Sequence, residues 1–307
     1  MKIATTTGDF AYFCKSDEER IRELHRAGFR YIDLSMYSFA PDCAYMQDHW
    51  HERVITLKAL AESFGMKFVQ AHSQGGNPLS EDPAHVDFLL KATLRSIEIC
   101  EVLGIKNTVV HNGFAKGISK DEWFAKNKAF YEKLIPAMER HGVNVLCENS
   151  TRANMGDRYF INTGSDMREF IKYVDHPMVH GCWDTGHANC EGNQYEEILA
   201  IGDELYAIHY NDNHGGKDDH VAPFLGTLNH DEVITALIDV GFQGYFTLEC
   251  DASLNRDNKW IEKRRRVRDG LDNQKLREPQ LFMQRHIEAM MFETSKWMLQ
   301  EYGVFED

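Results

Sequence analysis

The sequence lacks the usual marks of a secreted or membrane-spanning protein. Its seven cysteines are an odd number and include no C-x-x-C pair. In a chain of this size that usage is typical of reduced thiols. The opening stretch MKIATTTGDF has no apolar signal-peptide core, and no hydrophobic run reaches the length of a membrane span. We therefore expect a cytoplasmic protein without a membrane partner.

Positive charge is also scarce. There are 34 Lys and Arg against 48 Asp and Glu, which gives a formal net charge of −14. A dedicated nucleic-acid-binding protein usually carries a basic surplus, so the balance argues against a nucleic-acid partner. The one strongly basic run is KWIEKRRRVRDG, residues 259–270. We interpret it as a solvated helix or oligomer contact, with an anion clamp or lid over the site as the alternative.

A repeated unit organises much of the chain. A polar periodic segment is followed by Gly, an apolar residue and a strand-like run, and the first four such glycines are Gly28, Gly65, Gly104 and Gly142. Glycine is favoured just after a helix because it adopts the left-handed conformation without strain. Capping-box pairs at Ser16 with Glu19 and Ser119 with Glu122 mark two helix starts.

Eight strands are predicted, with helices between them. Seven of them cover the runs 31–35, 67–73, 107–113, 143–149, 178–184, 205–212 and 245–250, and the opening KIATTT supplies the eighth. Alternating strands and helices indicate a parallel sheet with right-handed crossovers. At 307 residues the best solution is a closed (β/α)8 TIM barrel with a C-terminal helical extension. A doubly wound open sheet is the alternative, but no G-x-G-x-x-G follows the first strand.

We expect residues 1–307 to form a single barrel domain. Residues 255–277 would be an inserted loop or lid after strand eight, and residues 278–307 the last helix and tail. The methionines and aromatic residues of that tail are predicted to lie in the core or in a subunit interface, so a homo-oligomer is left open.

Acidic and imidazole side chains follow the predicted strands where those strands end. In a parallel barrel all these ends lie on one face, where active sites are built. The residues are His72, His111, Glu148, Asp184 with His187, His209 and Glu249. Such groups converge at low cost only around a cation. Glu148, Asp184, His209 and Glu249 would suit one divalent metal, Mn²⁺, Mg²⁺ or Co²⁺, with Zn²⁺ as an alternative.

The stretches LCENS, WDTGHAN, AIHYNDN and FTLEC, in that order, resemble the xylose isomerase-like TIM barrels. This superfamily includes sugar isomerases, ketose 3-epimerases, inosose dehydratases and apurinic-site endonucleases. The resemblance implies that Glu148, Asp184, His209 and Glu249 are metal ligands. It also implies that the two glutamates are acid/base groups on opposite faces of the substrate.

Further residues resemble the trinuclear zinc site of the apurinic-site endonucleases. Asp218 and His220 form a D-x-H pair, and together with His72, His111 and His187 they complete a set of side chains that resembles this zinc site. Four of these residues, His72, His111, Asp218 and His220, are therefore candidates for additional metal or substrate contacts. No Lys/Arg-rich loop follows strands one to three, where DNA would dock.

The expected function is a divalent-metal-dependent isomerase or epimerase acting on a small sugar or sugar derivative. Glu148 and Glu249 would move a proton next to a carbonyl through an enediolate that the metal stabilises. His187 is expected to contact a substrate hydroxyl or to act as an auxiliary base, Arg152 to reach a substrate oxygen, and Tyr37 and Trp50 to form an apolar wall over the sugar. The alternatives are a sugar lyase or dehydratase on the same site, a trinuclear-zinc endonuclease and a non-catalytic carbohydrate-binding barrel.

Overall fold

The chain folds into a (β/α)8 TIM barrel. The computed structural model describes residues 1–254 and 279–307. Eight parallel strands follow one another around the barrel, with β8 beside β1. A parallel bridge between Tyr210 and Leu248 joins the ends of β7 and β8. The strands are β1 Ile3–Thr6, β2 Tyr31–Ser35, β3 Lys67–His72, β4 Asn107–Val109, β5 Asn144–Glu148, β6 Val179–Asp184, β7 Leu205–His209 and β8 Phe246–Leu248.

Helices connect the strands and surround the barrel. The described α-helices are α1 Asp17–Ala27, α2 Trp50–Ser63, α3 Pro83–Leu103, α4 Lys120–Glu132, α5 Ile135–His141, α6 Arg152–Met155, α7 Gly164–Val174, α8 Thr185–Asn189, α9 Tyr195–Ile201, α10 His230–Asp239 and α11 Leu281–Glu301. Short 3₁₀ turns cover Thr7–Phe10, Ala44–Met46 and Gly202–Glu204. Two helices are short and follow strand ends: α6 after β5 and α8 after β6. They carry side chains at the mouth of the barrel.

The helix signals read from the sequence are confirmed. The Ser16 hydroxyl accepts from the backbone N–H of Glu19 at 3.3 Å and so caps α1. Ser119 accepts from Glu122 at 3.2 Å and caps α4. Gly104, directly after α3, has φ +82°, which an L side chain rarely adopts. Local sequence therefore sets these helix ends independently of the barrel.

Apolar side chains form two layers. The larger cluster lies between strands and helices and includes Ile32 and Leu34 of β2. A small cluster of Val109, Leu146, Cys182 and Ala207 comes from β4 to β7. Because successive strand residues point to opposite faces, this second set fills the barrel interior. Below the mouth, the barrel interior next to β4 to β7 is therefore packed with side chains.

Helix α11 packs against the first helix and the first strand of the barrel. The Phe292 ring lies 5.2 Å from the Phe29 ring, and Arg285 Nε is 2.5 Å from the Glu23 carboxylate. Glu288 of α11 is fully buried beside Asp9, which follows β1. Burial raises the pKa of Glu288 to about 8. A shared proton would allow these two carboxyl groups to lie together at this interface.

Two further predictions concern the region after β8 and the membrane. The tail predicted from residue 278 contains α11. The predicted insertion 255–277, with the basic run 259–270, lies outside the described residues. Among the described residues, no helix combines the length and the apolar character needed to cross a bilayer.

Candidate active site

The carboxyl ends of the strands surround a cavity of about 720 Å³. His72, Glu148, Asp184 and His209 are the last residues of β3, β5, β6 and β7, and Glu249 directly follows β8. Glu148 and Glu249 line the cavity, as does His72. Asp184 and His209 have no exposed surface. The barrel therefore brings residues distant in sequence to one mouth, as predicted.

Four of these side chains could hold one cation. One donor atom from each of Glu148, Asp184, His209 and Glu249 lies within 4.8 Å of the others. His209 Nδ1 is 2.5 Å from Glu148 Oε1 and 3.4 Å from Glu249 Oε2. Three carboxylates and one imidazole suit a divalent ion that prefers oxygen ligands. The residues present thus fit the predicted metal.

Asp184 is held in place by neighbouring amides. Its backbone N–H donates to Asn149 Oδ1 at 2.7 Å, and its Oδ2 accepts from Asn211 Nδ2 at 2.8 Å. A Cβ on Gly186 would lie 1.8 Å from Asn211 Oδ1. Asp184 Oδ1 also accepts from the backbone N–H of His187 and caps α8. The small residues after Asp184 therefore let the Asn211 amide reach its carboxylate.

His72 and His111 extend this cluster along the barrel mouth. Their Nε2 atoms are 3.0 Å apart, and His111 Nε2 is 2.7 Å from Glu148 Oε2. His72, Glu148 and His209 also have donor atoms within 4.8 Å of one another. Burial, together with the neighbouring His111, lowers the pKa of His72 to about 3. A neutral imidazole is the form that binds metals.

His187, Asp218 and His220 form a separate cluster beside the first. Asp218 Oδ2 lies 3.1 Å from Nε2 of both histidines and accepts from Asn154 Nδ2 at 2.8 Å. Burial opposes the charged form of His187, but Asp184 and Asp218 raise its pKa to about 10. The three residues therefore stabilise one another as an ion-paired group, and their donor atoms are also close enough to hold a cation.

The two glutamates differ in environment. Burial raises the pKa of Glu249 to about 8, despite the nearby imidazoles of His209 and His220. Burial acts in the same direction on Glu148, but its contacts with His209 and His111 hold the pKa below its ordinary value. A divalent cation between them would favour the charged form of each carboxylate.

Similarity to known proteins agrees with the barrel fold. Residues 21–271 match the family model described as xylose isomerase-like TIM barrel. The chain belongs to this family.

Two relatives by sequence and one solved structure with a similar fold show how far the similarity extends. An uncharacterised protein of Methanocaldococcus jannaschii is 25% identical over 181 residues, which span 56% of this chain and 60% of that protein, less than two thirds of its length. The L-ribulose 3-epimerase of a Methylomonas species is 27% identical over 242 residues, 74% of this chain and 76% of that protein. The crystal structure of the IOLI protein with a bound zinc atom is 17% identical, with a TM-score of 0.74 over 99% of this chain and 100% of that one.

Two of the four substrate contacts predicted outside the ligand set, Tyr37 and His187, line the cavity. Tyr37 lines it, with its ring 5.2 Å from His72 and 5.7 Å from His111. Arg152 and Trp50 do not line the cavity among the described residues. Their contacts with a substrate stay predictions.

Local contacts account for the positions of Arg152 and Trp50. Thr151 caps α6 and starts the helix so that the Arg152 side chain is 61% exposed and pairs with Glu191. Trp50 begins α2, and its ring lies 4.4 Å below the guanidinium of Arg95 on α3. Both side chains are therefore satisfied by neighbours outside the cavity.

Sequence reasoning also missed the amides that support the site. Asn149 and Asn211 each stand in a stretch that carries the family resemblance, one residue after Glu148 and two after His209. Their position at buried strand ends was an available signal, because a buried amide there needs partners. Asn149 contacts the backbone of Asp184 and Asn211 its carboxylate. These contacts follow only from the packing of β5, β6 and β7.

Proposed function

We propose that this chain is a metal-dependent sugar epimerase. The observation that carries the proposal is the pair of glutamates from β5 and after β8, which face one cavity beside a common set of donor atoms. The similarity to an L-ribulose 3-epimerase supports the same reaction class. The substrate would be a ketose or a related ketosugar.

The chemistry required of the protein is proton transfer next to a carbonyl. One of Glu148 and Glu249 would take the proton from the carbon, and the other would return one from the opposite face. A divalent cation held by Glu148, Asp184, His209 and Glu249 would supply positive charge where negative charge develops on the substrate oxygens. His187, which also lines the cavity, would contact a substrate hydroxyl. Inversion at the carbon is the expected outcome.

The same proton abstraction can lead elsewhere. Return of the proton to the adjacent carbon gives aldose–ketose isomerisation, and loss of a leaving group gives a lyase or dehydratase reaction. We favour epimerisation because two carboxylates from different strands are available, one for each face of the carbon. Neither alternative needs the second base.

The described cavity lining supports an uncharged substrate. It contains asparagines, serines, histidines and carboxylates together with the rings of Tyr37, Phe114 and Tyr159, and no Lys or Arg from residues 1–254 and 279–307. Hydroxyl groups can pair with such polar side chains, and the C–H faces of a sugar pack on aromatic rings. This part of the wall therefore offers no guanidinium or ammonium group to pair with a phosphate.

The test is exchange of the substrate proton with solvent. The Mn²⁺-loaded protein is incubated in D₂O with L-ribulose, D-psicose and D-fructose, and with D-fructose 6-phosphate as the charged counterpart. NMR should show deuterium at the carbon beside the carbonyl and appearance of the epimer for a free ketose. Appearance of an aldose would replace epimerisation by isomerisation, and release of water from the sugar would replace it by dehydration.

A trinuclear-zinc phosphodiesterase is the second candidate. It is favoured by the two further clusters, His72 with His111 and Glu148, and His187 with Asp218 and His220. Elemental analysis of purified protein separates the two candidates: one Mn or Mg per chain fits the epimerase, and three Zn fit the hydrolase. Efficient nicking of a fluorescent abasic DNA duplex would favour the hydrolase, although the net charge of −14 argues against binding of DNA.

A further inference from the structure

Asp33 is a buried carboxylate inside the barrel that the proposed proton transfers do not use. It stands in the middle of β2, between Ile32 and Leu34, which pack in the layer next to the helices. Its side chain points the opposite way, into the barrel, and the residue is 1% exposed. It does not line the cavity.

The contacts of Asp33 lead to the metal site. Its Oδ2 lies 3.4 Å from His209 Nε2, which is an ion-pair distance and the one ion pair of Asp33 among the described residues. His209 Nε2 is buried and makes no hydrogen bond within this part of the chain, so the Asp33 carboxylate is the charge placed beside it. The same Asp33 oxygen accepts from Gln70 Nε2 at 3.2 Å, and Gln70 Oε1 accepts from the Thr247 hydroxyl at 3.2 Å. Thr247, Gln70 and Asp33 thus form a buried polar chain from β8 through β3 to β2 that ends at His209.

A carboxylate in this position needs a reason. Burying an ionised group is costly unless it is paired, and an amide or an apolar residue would fill the same space at lower cost. His209 is itself fully buried. Its two ring nitrogens face opposite groups: Nδ1 faces Glu148 and Glu249, and Nε2 faces Asp33. The charge of Asp33 is therefore directed at the side of the imidazole away from the candidate metal.

We propose that Asp33 is a positioning residue that keeps the proton of His209 on Nε2 and so leaves the lone pair of Nδ1 for the metal. A neutral imidazole carries one ring proton, and the partner of one nitrogen decides which nitrogen is left free to bind. Carboxylates that accept from metal-binding histidines also fix the orientation of the ring. The inference rests on the metal site of the proposed function, but not on the sugar or the reaction.

The first measurement is metal affinity. Mn²⁺ binding to the full chain is followed by isothermal titration calorimetry for the wild type, Asp33→Asn and Thr247→Val. Asparagine keeps the shape but lacks the charge, and its amide can donate to Nε2 and force the proton onto Nδ1. We expect Asp33→Asn to weaken Mn²⁺ binding by about 10- to 100-fold. Thr247→Val, which removes a buried hydroxyl from the same polar chain but leaves Asp33, should stay within about twofold of the wild type.

The second measurement reads the tautomer directly. Long-range ¹H–¹⁵N correlation spectra of the Zn²⁺-loaded wild type, assigned with the help of His209→Gln, should show His209 protonated on Nε2. Because this readout needs no Asp33 variant, it decides the matter even if Asp33→Asn does not fold. A proton on Nδ1, or unchanged Mn²⁺ affinity in Asp33→Asn, would overturn the role of Asp33 while leaving the metal site intact. A wild type that binds neither Mn²⁺ nor Zn²⁺ would overturn the metal site as well.

Discussion

Replacement of Glu148 by glutamine removes one of the two proposed bases with little change in shape. The side chain is 3% exposed, and its oxygens lie 2.5 Å from His209 Nδ1 and 2.7 Å from His111 Nε2. Glutamine offers one acceptor and one NH₂ donor in place of two charged acceptors. The variant therefore loses a metal ligand and a proton acceptor together.

The size of the effect follows from these two losses. Positioned acid/base groups contribute about 10²- to 10⁴-fold to rate, which corresponds to about 3–5 kcal/mol of activation free energy. We expect Glu148→Gln to lower kcat by at least about 10²-fold with Mn²⁺ at saturation, because Glu249, on the other face of the carbon, cannot take over the proton transfer of Glu148. Metal affinity should also fall, and is measured separately by calorimetry so that the rate can be compared at full occupancy.

The assay follows both inversion and solvent exchange by NMR in D₂O, on the ketose that the wild type converts. With Glu249 as the remaining base, one epimer should still exchange its proton slowly, whereas inversion should be lost in both directions. Glu191→Gln is the matched control, since Glu191 is a partly buried glutamate paired with Arg152 outside the cavity lining. It should keep kcat within about twofold. Inversion by Glu148→Gln within threefold of the wild-type rate, at full metal occupancy, would refute the assignment of this base.

Three further perturbations test the support of the site and the stability of the fold. Gly186→Ala should displace the Asn211 amide, which a Cβ would approach to 1.8 Å, and should weaken Mn²⁺ binding in calorimetry; wild-type affinity would contradict the close approach. Glu288 has a pKa raised from 4.5 to about 8, so the folded state holds its proton more tightly and the free energy of unfolding should fall as pH rises from about 4.5 to 8, by up to about 1.4 kcal/mol per pH unit. Urea denaturation across this range should show a flatter profile for Glu288→Gln, and an unchanged slope would show that the fall has another source. Trp123→Phe removes a buried 2.7 Å hydrogen bond to the Gly113 carbonyl and should lower the free energy of unfolding by about 1–3 kcal/mol in urea denaturation; an unchanged midpoint at an unchanged slope would speak against that contribution.

Much of the barrel could be read from local patterns. Helix caps at Ser16 and Ser119 and the glycine after α3 depend on bonds and dihedral angles within a few residues, so sequence alone indicates them. The strand-end positions of Glu148 and Asp184 were predictable for a related reason. Once the strands are parallel and the barrel closes, every strand ends at the same mouth.

The side-chain network required the packed structure. Asp184 ends β6 and Asn211 follows β7 by two residues, and the register between these two strands decides that their side chains meet. Asp33 and His209 are far apart along the chain, and they approach because both point into the barrel from opposite parts of the sheet. No spacing in the sequence encodes such a contact.

Arg152 and Trp50 show the limit in the other direction. Their residue types suited a substrate contact, but long side chains turn towards the nearest available partner. For Arg152 that partner is the Glu191 carboxylate, and for Trp50 it is the Arg95 guanidinium. Residue type and loop position did not contain this information.

The sequence by itself determined the succession of strands and helices, where several helices begin or end, and which polar side chains stand at the strand ends, because these follow from local hydrogen bonding and periodicity. Only the tertiary structure decided which of those side chains share a cation-sized space, which amides hold them and which face solvent. Those relations depend on distances between strands that register, twist and closure of the barrel fix together.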